Sequence, residues 1–285
     1  MGTFLHRHKG VTPYLLLAPG VLWLAIFFLI PLAFLGYESL QSGIYPNFSF
    51  TWEFGNFWSG IRDYQPQLVR SFVYAGIATL ACLLLAYPLV YWIAFKAGPW
   101  RNLALLMIVA PFFVTYLVRT LAWLNILADQ GPVVRVLRDV HILAPDGRLL
   151  ATTFAVVSGI TYNFFPFMAL PIYVSLEQMD PRLLEAAKDL YASSTQSFLR
   201  VTLPLSAPGV VAGTLLTFIP AAGDFINAAL LGTPNQQMIG NVIQAKFLES
   251  LDYPGAASLS FILMGLILVM LLVYARIVGS EKLTG

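Results

Sequence analysis

Two charged residues stand inside otherwise apolar runs of this chain, Arg119 and Asp224. A charge held in lipid is expensive, so each marks a candidate functional position. Aromatic and amide residues accompany both. Phe112, Tyr116, Arg119 and Trp123 recur at helical spacing and would share one helix face. Tyr162, Asn163 and Phe165 lie in a further apolar run, and Phe218, Phe225 and Asn227 flank Asp224. A carboxylate among ring faces suits an ammonium, because cation–π attraction adds roughly 0.5–2 kcal/mol. Two readings of Asp224 stay open. It pairs with Arg119 and fixes two helices together, or it faces a pathway and attracts a cationic solute. On the second reading, Tyr116, Trp123, Tyr162, Asn163, Phe218 and Asn227 share that pathway with it.

Other chemistry is missing from the sequence. There is no G-x-x-x-x-G-K-[ST] phosphate loop, so the usual route to ATP binding is closed to this chain. There is no H-E-x-x-H pattern and no cysteine–histidine cluster. His6 and His8 have a spacing that could chelate a metal, but two near-terminal imidazoles are more often a solvated tail, and His141 sits alone in a polar segment. No metal site and no catalytic residue are expected. The single cysteine, Cys82, lies within an apolar run and excludes an intrachain disulfide. No basic block suggests nucleic-acid binding.

The elements that must position these residues follow from composition. The chain of 285 residues is 58% hydrophobic and 11% charged, with mean hydropathy +0.76. An ordinary soluble domain is about 25% charged, so this chain lacks the polar groups to cover a water-facing surface. Apolar runs of roughly 20 residues recur, the length that crosses a bilayer core. Six spans are expected, at about 14–37, 71–95, 103–127, 150–176, 207–231 and 257–278. The first is too long for a secretory signal and is read as a retained span, kinked near Pro19 and Pro31. Residues 38–66 form a polar-aromatic segment suited to the outer interface. Residues 128–149 and 232–256 are read as the other sizeable outer segments, with tails at 1–13 and 280–285. The fold class is therefore all-α, a polytopic membrane helix bundle. With both termini cytoplasmic, Arg7, Lys9, Lys96, Arg101, Arg182, Lys188, Arg200, Arg276 and Lys282 fall inside; Arg62, Arg70, Arg135, Arg138, Arg148 and Lys246 fall outside. That bias agrees with the positive-inside rule.

One polar, helix-forming stretch interrupts the apolar runs, Asp180 to Gly209. Asp180 can cap a helix whose first residue is Pro181, where the missing N–H does no harm. Leu183, Leu184, Ala187 and Leu190 form an apolar stripe, with Glu185, Lys188 and Asp189 mostly off it. A turn at Tyr191-Ala192-Ser193-Ser194 leads to a second short helix carrying Phe198, Leu199 and Val201, expected to stop at Leu203-Pro204.

This order resembles the cytoplasmic EAA loop of ABC importer membrane subunits. Glu185-Ala186-Ala187 stand in place, Val201 occupies the isoleucine position and Leu203-Pro204 close the motif. Tyr191 stands where that family usually has glycine. The C-terminal half, through Leu231-Gly232-Thr233-Pro234, Met238-Ile239-Gly240-Asn241 and Asp252-Tyr253-Pro254, resembles the permeases of spermidine/putrescine importers. The resemblance implies a type I ABC importer permease fold, with residues 177–206 as the cytoplasmic coupling loop. It implies a bacterial inner-membrane transport subunit that is not itself an enzyme. Its partners would be a second permease, an ATPase subunit acting as a homodimer, an extracytoplasmic binding protein and membrane lipid. ATP and Mg2+ would sit on the ATPase, with no cofactor on this chain. Glu185, Ala186, Ala187, Asp189, Tyr191 and Ala192 would contact the ATPase. The cargo would be a polyamine; another small solute, such as a sugar or an anion, and an autonomous carrier remain as alternatives.

Overall fold

The computed structural model describes residues 12–279, apart from the side chains of residues 12–16 and 277–279. His6, His8, Arg7, Lys9 and Lys282, with the tail at 280–285 and most of that at 1–13, lie outside the described residues. The chain divides into two compact units, one of residues up to 63 together with 245–262, the other of residues 64–244 together with those from 263 onward.

In the first unit, helix α1 (Thr12–Leu24) passes through a π-helical turn at Ala25–Leu29 into α2 (Ile30–Ser39). The turn has a local cause. Pro31 offers no N–H and would clash with the carbonyl four residues back. Widening the preceding turn, so that Ile30 N–H bonds to Ala25 O, relieves that conflict. The polar-aromatic segment read from sequence is a hairpin, β1 (Gln41–Ile44) and β2 (Asn47–Phe50), followed by α3 (Gly55–Asp63). β2 alternates polar and apolar residues from Asn47 to Phe50, a period-two signal that the all-α expectation passed over, whereas β1 does not alternate.

The second unit holds the candidate site. Helices α4 (Gln65–Phe95), α8 (Thr153–Glu177) and α11 (Leu203–Ala222) pack together. Gly209 and Gly213 make the approach of α11 to α8 possible. A Cβ on Gly209 would stand 2.5 Å from Pro171 O, and one on Gly213 would stand 3.0 Å from Met168 O. Small residues one turn apart are the usual means of close helix contact in lipid, where no hydrophobic force drives helices together. Buried Cys82, Ala86, Val90, Ile93, Met168 and Ile172 fill one core of this unit. Tyr74, Ala78, Ile160, Phe164, Phe218 and Leu231 belong to the other.

Three expectations are corrected here. The third span is not one straight helix. Helix α5 (Arg101–Val109) and a 3-10 turn (Ala110–Phe113) meet α6 (Tyr116–Leu127) at a bend of 98°. Pro111 and extended Val114 and Thr115 break the ladder between them, so Phe112 lies on a different axis from Tyr116. The helix of residues 194–202 does not stop at Leu203-Pro204. From Ser194 to Ala222 it is continuous, because a π-helical turn at Phe198–Thr202 precedes Pro204 as another precedes Pro31. Its far end comes early: the helix closes at Ala222, and Asp224 stands in a break before α12 (Ile226–Leu231). Among the described residues, by length and composition, five helices can cross a membrane, or six when the bent pair counts as one span. The segments read as loops also hold helices, α7 (Pro132–Asp139) and α13 (Ile239–Leu248), and the last span is α14 (Tyr253–Gly279).

Candidate functional site

Asp224 is only 6% exposed, and both Tyr116 and Asn227 donate to it. Tyr116 Oη donates to Oδ2 at 2.5 Å, as does Asn227 Nδ2 at 2.5 Å. The Asn227 backbone N–H donates to Oδ1 at 3.0 Å. The break after Ala222 makes this possible: a carboxylate just ahead of a helix can accept its first free N–H groups, as capping residues do. Asn227 Nδ2 also donates to Tyr116 Oη at 2.5 Å. On its other side Asn227 Oδ1 accepts from Asn163 Nδ2 at 3.3 Å and faces Thr120 Oγ1 at 3.4 Å. Asn163 Nδ2 further donates to Thr120 Oγ1 at 3.1 Å. Four elements, α6, α8, α12 and the break before α12, thus meet in one buried polar network. Such networks hold firm when saturated. This one is nearly so: Asn163 Oδ1 has no partner among the described residues.

The network does not include an Arg119–Asp224 pair, so that reading is corrected. Arg119 is 8% exposed, and its guanidinium carbon lies 4.8 Å from the Phe112 ring centre and 5.6 Å from that of Tyr116. The Tyr116 side chain separates the two charges, offering its ring face to the cation and its hydroxyl to the carboxylate.

Of the side chains expected to share a pathway with Asp224, the structure brings together Tyr116, Asn163 and Asn227. Trp123 and Tyr162 meet at a tilt of 60°, 5.5 Å between ring centres, and line a cavity of about 530 Å³ with Ile77, Leu85 and Phe154. Phe218 is buried in the core against Phe72, 6.0 Å between ring centres. Its position before Asp224 in sequence does not make it a neighbour, because it lies on the helix and Asp224 past its end. Thr120 was not among the candidates. It lies one turn after Tyr116 on the same helix face, a spacing that could have found it.

The second candidate surface is helix α9 (Pro181–Asp189). Asp180 Oδ1 accepts from Arg182 N–H at 2.9 Å and Ser193 and Gln196 form a reciprocal capping box at the start of α10 (Ser194–Ser197). These caps define the loop from both ends. Glu185, Ala186 and Asp189 are exposed, Ala187 and Ala192 half-buried, and no residue of α9 is buried. Tyr191 takes the left-handed φ of 58° and is 97% exposed. The turn thus keeps a conformation that suits glycine although a tyrosine holds the place. At the preceding helix end Arg101 makes an ion pair with Glu177, bonds to the Tyr173 hydroxyl and lies over the Tyr173 ring at 5.2 Å.

Comparison with known proteins follows the same lines. A family model described as "binding-protein-dependent transport system inner membrane component" matches residues 66–279. The spermidine/putrescine transport system permease protein PotB of Haemophilus influenzae is 38% identical over 256 residues, 89% of this chain and 90% of that protein. The Escherichia coli K12 protein of the same name is 39% identical over 209 residues, 73% of this chain and 76% of its own. Among solved structures, a bacterial ABC transporter involved in the import of the acidic polysaccharide alginate matches with a TM-score of 0.75 over 99% of both chains. At 17% identity that likeness speaks for the fold alone. This chain is a multi-pass inner-membrane permease of the type I fold, and it belongs to the family of binding-protein-dependent transport system inner membrane components.

Proposed function

We propose that this chain is one of two permease subunits of an ATP-driven importer of polyamines such as spermidine and putrescine, delivered by a binding protein. The observation that carries the cargo is the 38% identity to a spermidine/putrescine permease across nine-tenths of the chain. The chemistry of the buried network supports it. A carboxylate with an aromatic neighbour can exchange the Tyr116 and Asn227 donors for the N–H groups of an ammonium, and charge-assisted bonds are the stronger kind. Family membership disfavours the autonomous carrier, since such systems depend on a binding protein.

Coupling to ATP is assigned to α9, and hydrolysis to a partner ATPase that holds ATP and Mg2+. Glu185 stands exposed for a basic group in an ATPase cleft, and Ala186 and Ala187 permit close approach. The continuous helix Ser194–Ala222 supports this reading, because it begins beside the coupling segment and ends two residues before Asp224. At 1.5 Å per residue it is a lever of about 44 Å. A tilt imposed at its first turn is felt at the carboxylate. That supplies the two-state element that coupling between distant sites requires.

The test is ATP hydrolysis by the co-expressed transporter in liposomes, titrated with binding protein carrying spermidine, putrescine or unrelated solutes. Stimulation confined to polyamine-loaded binding protein is the expected result. Stimulation by another solute alone removes the polyamine claim, and failure to assemble with any ATPase removes the coupling claim.

A further inference from the structure

Arg119 is held in an unusual way for a buried cation. Among the described residues its Nε has no hydrogen-bond partner, and the three ion pairs are Arg101–Glu177, Arg148–Asp129 and Lys246–Asp252. What the guanidinium does touch is ring faces. Phe112 and Tyr116, which it contacts, are the two ends of a chain of four rings. Phe112 meets Phe167 at 5.1 Å, Phe167 meets Phe164 at 6.1 Å, and Phe164 meets Tyr116 at 6.0 Å. The guanidinium spans the two ends, so four rings and one cation close a circuit. Behind Tyr116 stands Asp224, whose charge favours a cation there without binding this one.

A structural arginine in a membrane protein is ordinarily saturated by carboxylates or carbonyls, because leaving it bare in a low-dielectric place is expensive. Ring faces alone hold a cation loosely and select for charge and size, which is how aromatic cages bind organic ammonium groups. We infer that Phe112, Tyr116, Phe164 and Phe167 form an aromatic cage for one ammonium group of the transported cation, and that Arg119 is the placeholder cation that occupies it when no substrate is present. This inference rests on the polyamine reading above. Its consequence is selectivity. A fixed positive charge in the cage repels small inorganic cations that Asp224 would otherwise attract, whereas a chain with several ammonium groups gains enough elsewhere to displace it.

The test measures radiolabelled spermidine binding to the assembled transporter in nanodiscs, without binding protein or ATP. Arg119→Met removes the placeholder and keeps the side chain's bulk. It is expected to bind spermidine roughly tenfold more tightly than wild type, the scale of one cation–π competitor. Arg119→Lys retains a cation and is expected to bind as wild type does. Adding Phe167→Ala to Arg119→Met is expected to cancel the gain, which a structural role for Arg119 would not produce. Binding no tighter than wild type in an assembled Arg119→Met transporter, or a gain that survives Phe167→Ala, overturns the inference. If Arg119→Met does not assemble, Arg119→Gln carries the same expectation and the same refutation. Failure of the polyamine reading looks different: wild type then takes up no spermidine even with its binding protein, whereas an error confined to the cage leaves wild-type uptake intact.

Discussion

Gly159 on α8 separates the packing of the bundle from the chemistry of the buried network by the width of one methyl group. A Cβ placed there would stand 2.5 Å from Asn227 Oδ1 and 2.5 Å from Leu231 Cδ1. The leucine methyl can rotate away. The amide cannot move freely, because Asn227 links Asn163 on one side to Tyr116 and Asp224 on the other. Real Cβ atoms essentially never come within 3.0 Å of another heavy atom, so the amide oxygen must retreat by at least about 0.5 Å in an interior that has little free space. Its contacts at 3.3 and 3.4 Å are already long and pass out of hydrogen-bond range. Two such bonds contribute about 1–3 kcal/mol together, against which the better helix propensity of alanine returns up to about 1 kcal/mol. Gly159→Ala is thus expected to destabilise by about 1–2 kcal/mol. Gly76 in α4 is the control, since a Cβ there meets nothing within 4 Å; Gly76→Ala is expected to be neutral or stabilising by up to about 1 kcal/mol. Thermal unfolding of the detergent-solubilised transporter, followed by size-exclusion chromatography after heating, compares the two. If Gly159→Ala melts at or above Gly76→Ala, the amide is not held where the argument places it. Polyamine-stimulated ATP hydrolysis should fall in Gly159→Ala alone, because only there is the donor pair of Asp224 disturbed.

Three further outcomes are expected. Glu185→Lys leaves membrane insertion intact but abolishes stimulation of ATP hydrolysis by loaded binding protein; normal uptake by that variant would show that α9 does not couple through this carboxylate. Asp224→Asn keeps a group that can accept from Tyr116, so the transporter should still assemble, yet spermidine uptake should drop at least tenfold because the attraction for an ammonium is gone; uptake within twofold of wild type in a liposome assay argues against the acid as a cation partner. Tyr191→Gly relieves a left-handed φ that costs an ordinary side chain about 1–2 kcal/mol but loosens the unfolded chain by roughly half that. The melting temperature should hold or rise slightly, and a clear drop would mean that the exposed ring makes contacts within the transporter.

The parts of this molecule that were legible in the sequence are those fixed by local rules. Span count follows from apolar length, and the cap at Asp180 follows from side-chain chemistry within two residues, whereas Ser193, read as part of a turn, proves to cap the next helix. What escaped depends on how neighbours share a conflict. Pro204 reads as a helix end under the rule for α-helices, and the rule is sound, but a π turn upstream removes the clash and lets the helix continue. The same holds at Pro31. At residues 110–115 no such turn forms, and the chain bends by 98° instead. Arg119 and Asp224 illustrate a different gap. Sequence supplies two charges within apolar runs, for which an ion pair is one of two open readings. Whether they meet depends on side-chain direction, and a tyrosine that satisfies both from opposite ends cannot be read from composition. Tyr191 is the converse case. There the motif position usually held by glycine signals a left-handed turn, and the backbone takes it despite the residue.

The continuity of Ser194–Ala222 changes what the break at Asp224 means. Had the helix stopped at Pro204, motion of the coupling segment would reach the buried network only through the packing of α11 against α8, where Gly209 and Gly213 leave little room to slide. With one helix running from Ser194 to Ala222, rotation at its first turn would carry Gly223 and Asp224 with it. Asp224 hangs on the end of the lever, while Tyr116 and Asn163 belong to helices that are not part of it. On the coupling proposed above, a small tilt would lengthen the 2.5 Å bond from Tyr116, and Asn227, bonded to Asp224 through both its backbone and its side chain, would travel with the carboxylate. The contacts of Asn227 with Asn163 and Thr120, already the longest in the network, would then break as well. A carboxylate that lost its tyrosine donor when the lever moved would present its charge in one state and conceal it in the other. Coupling of that kind needs no contact between nucleotide and cargo, only one stiff element with a capped start and an acid at its end.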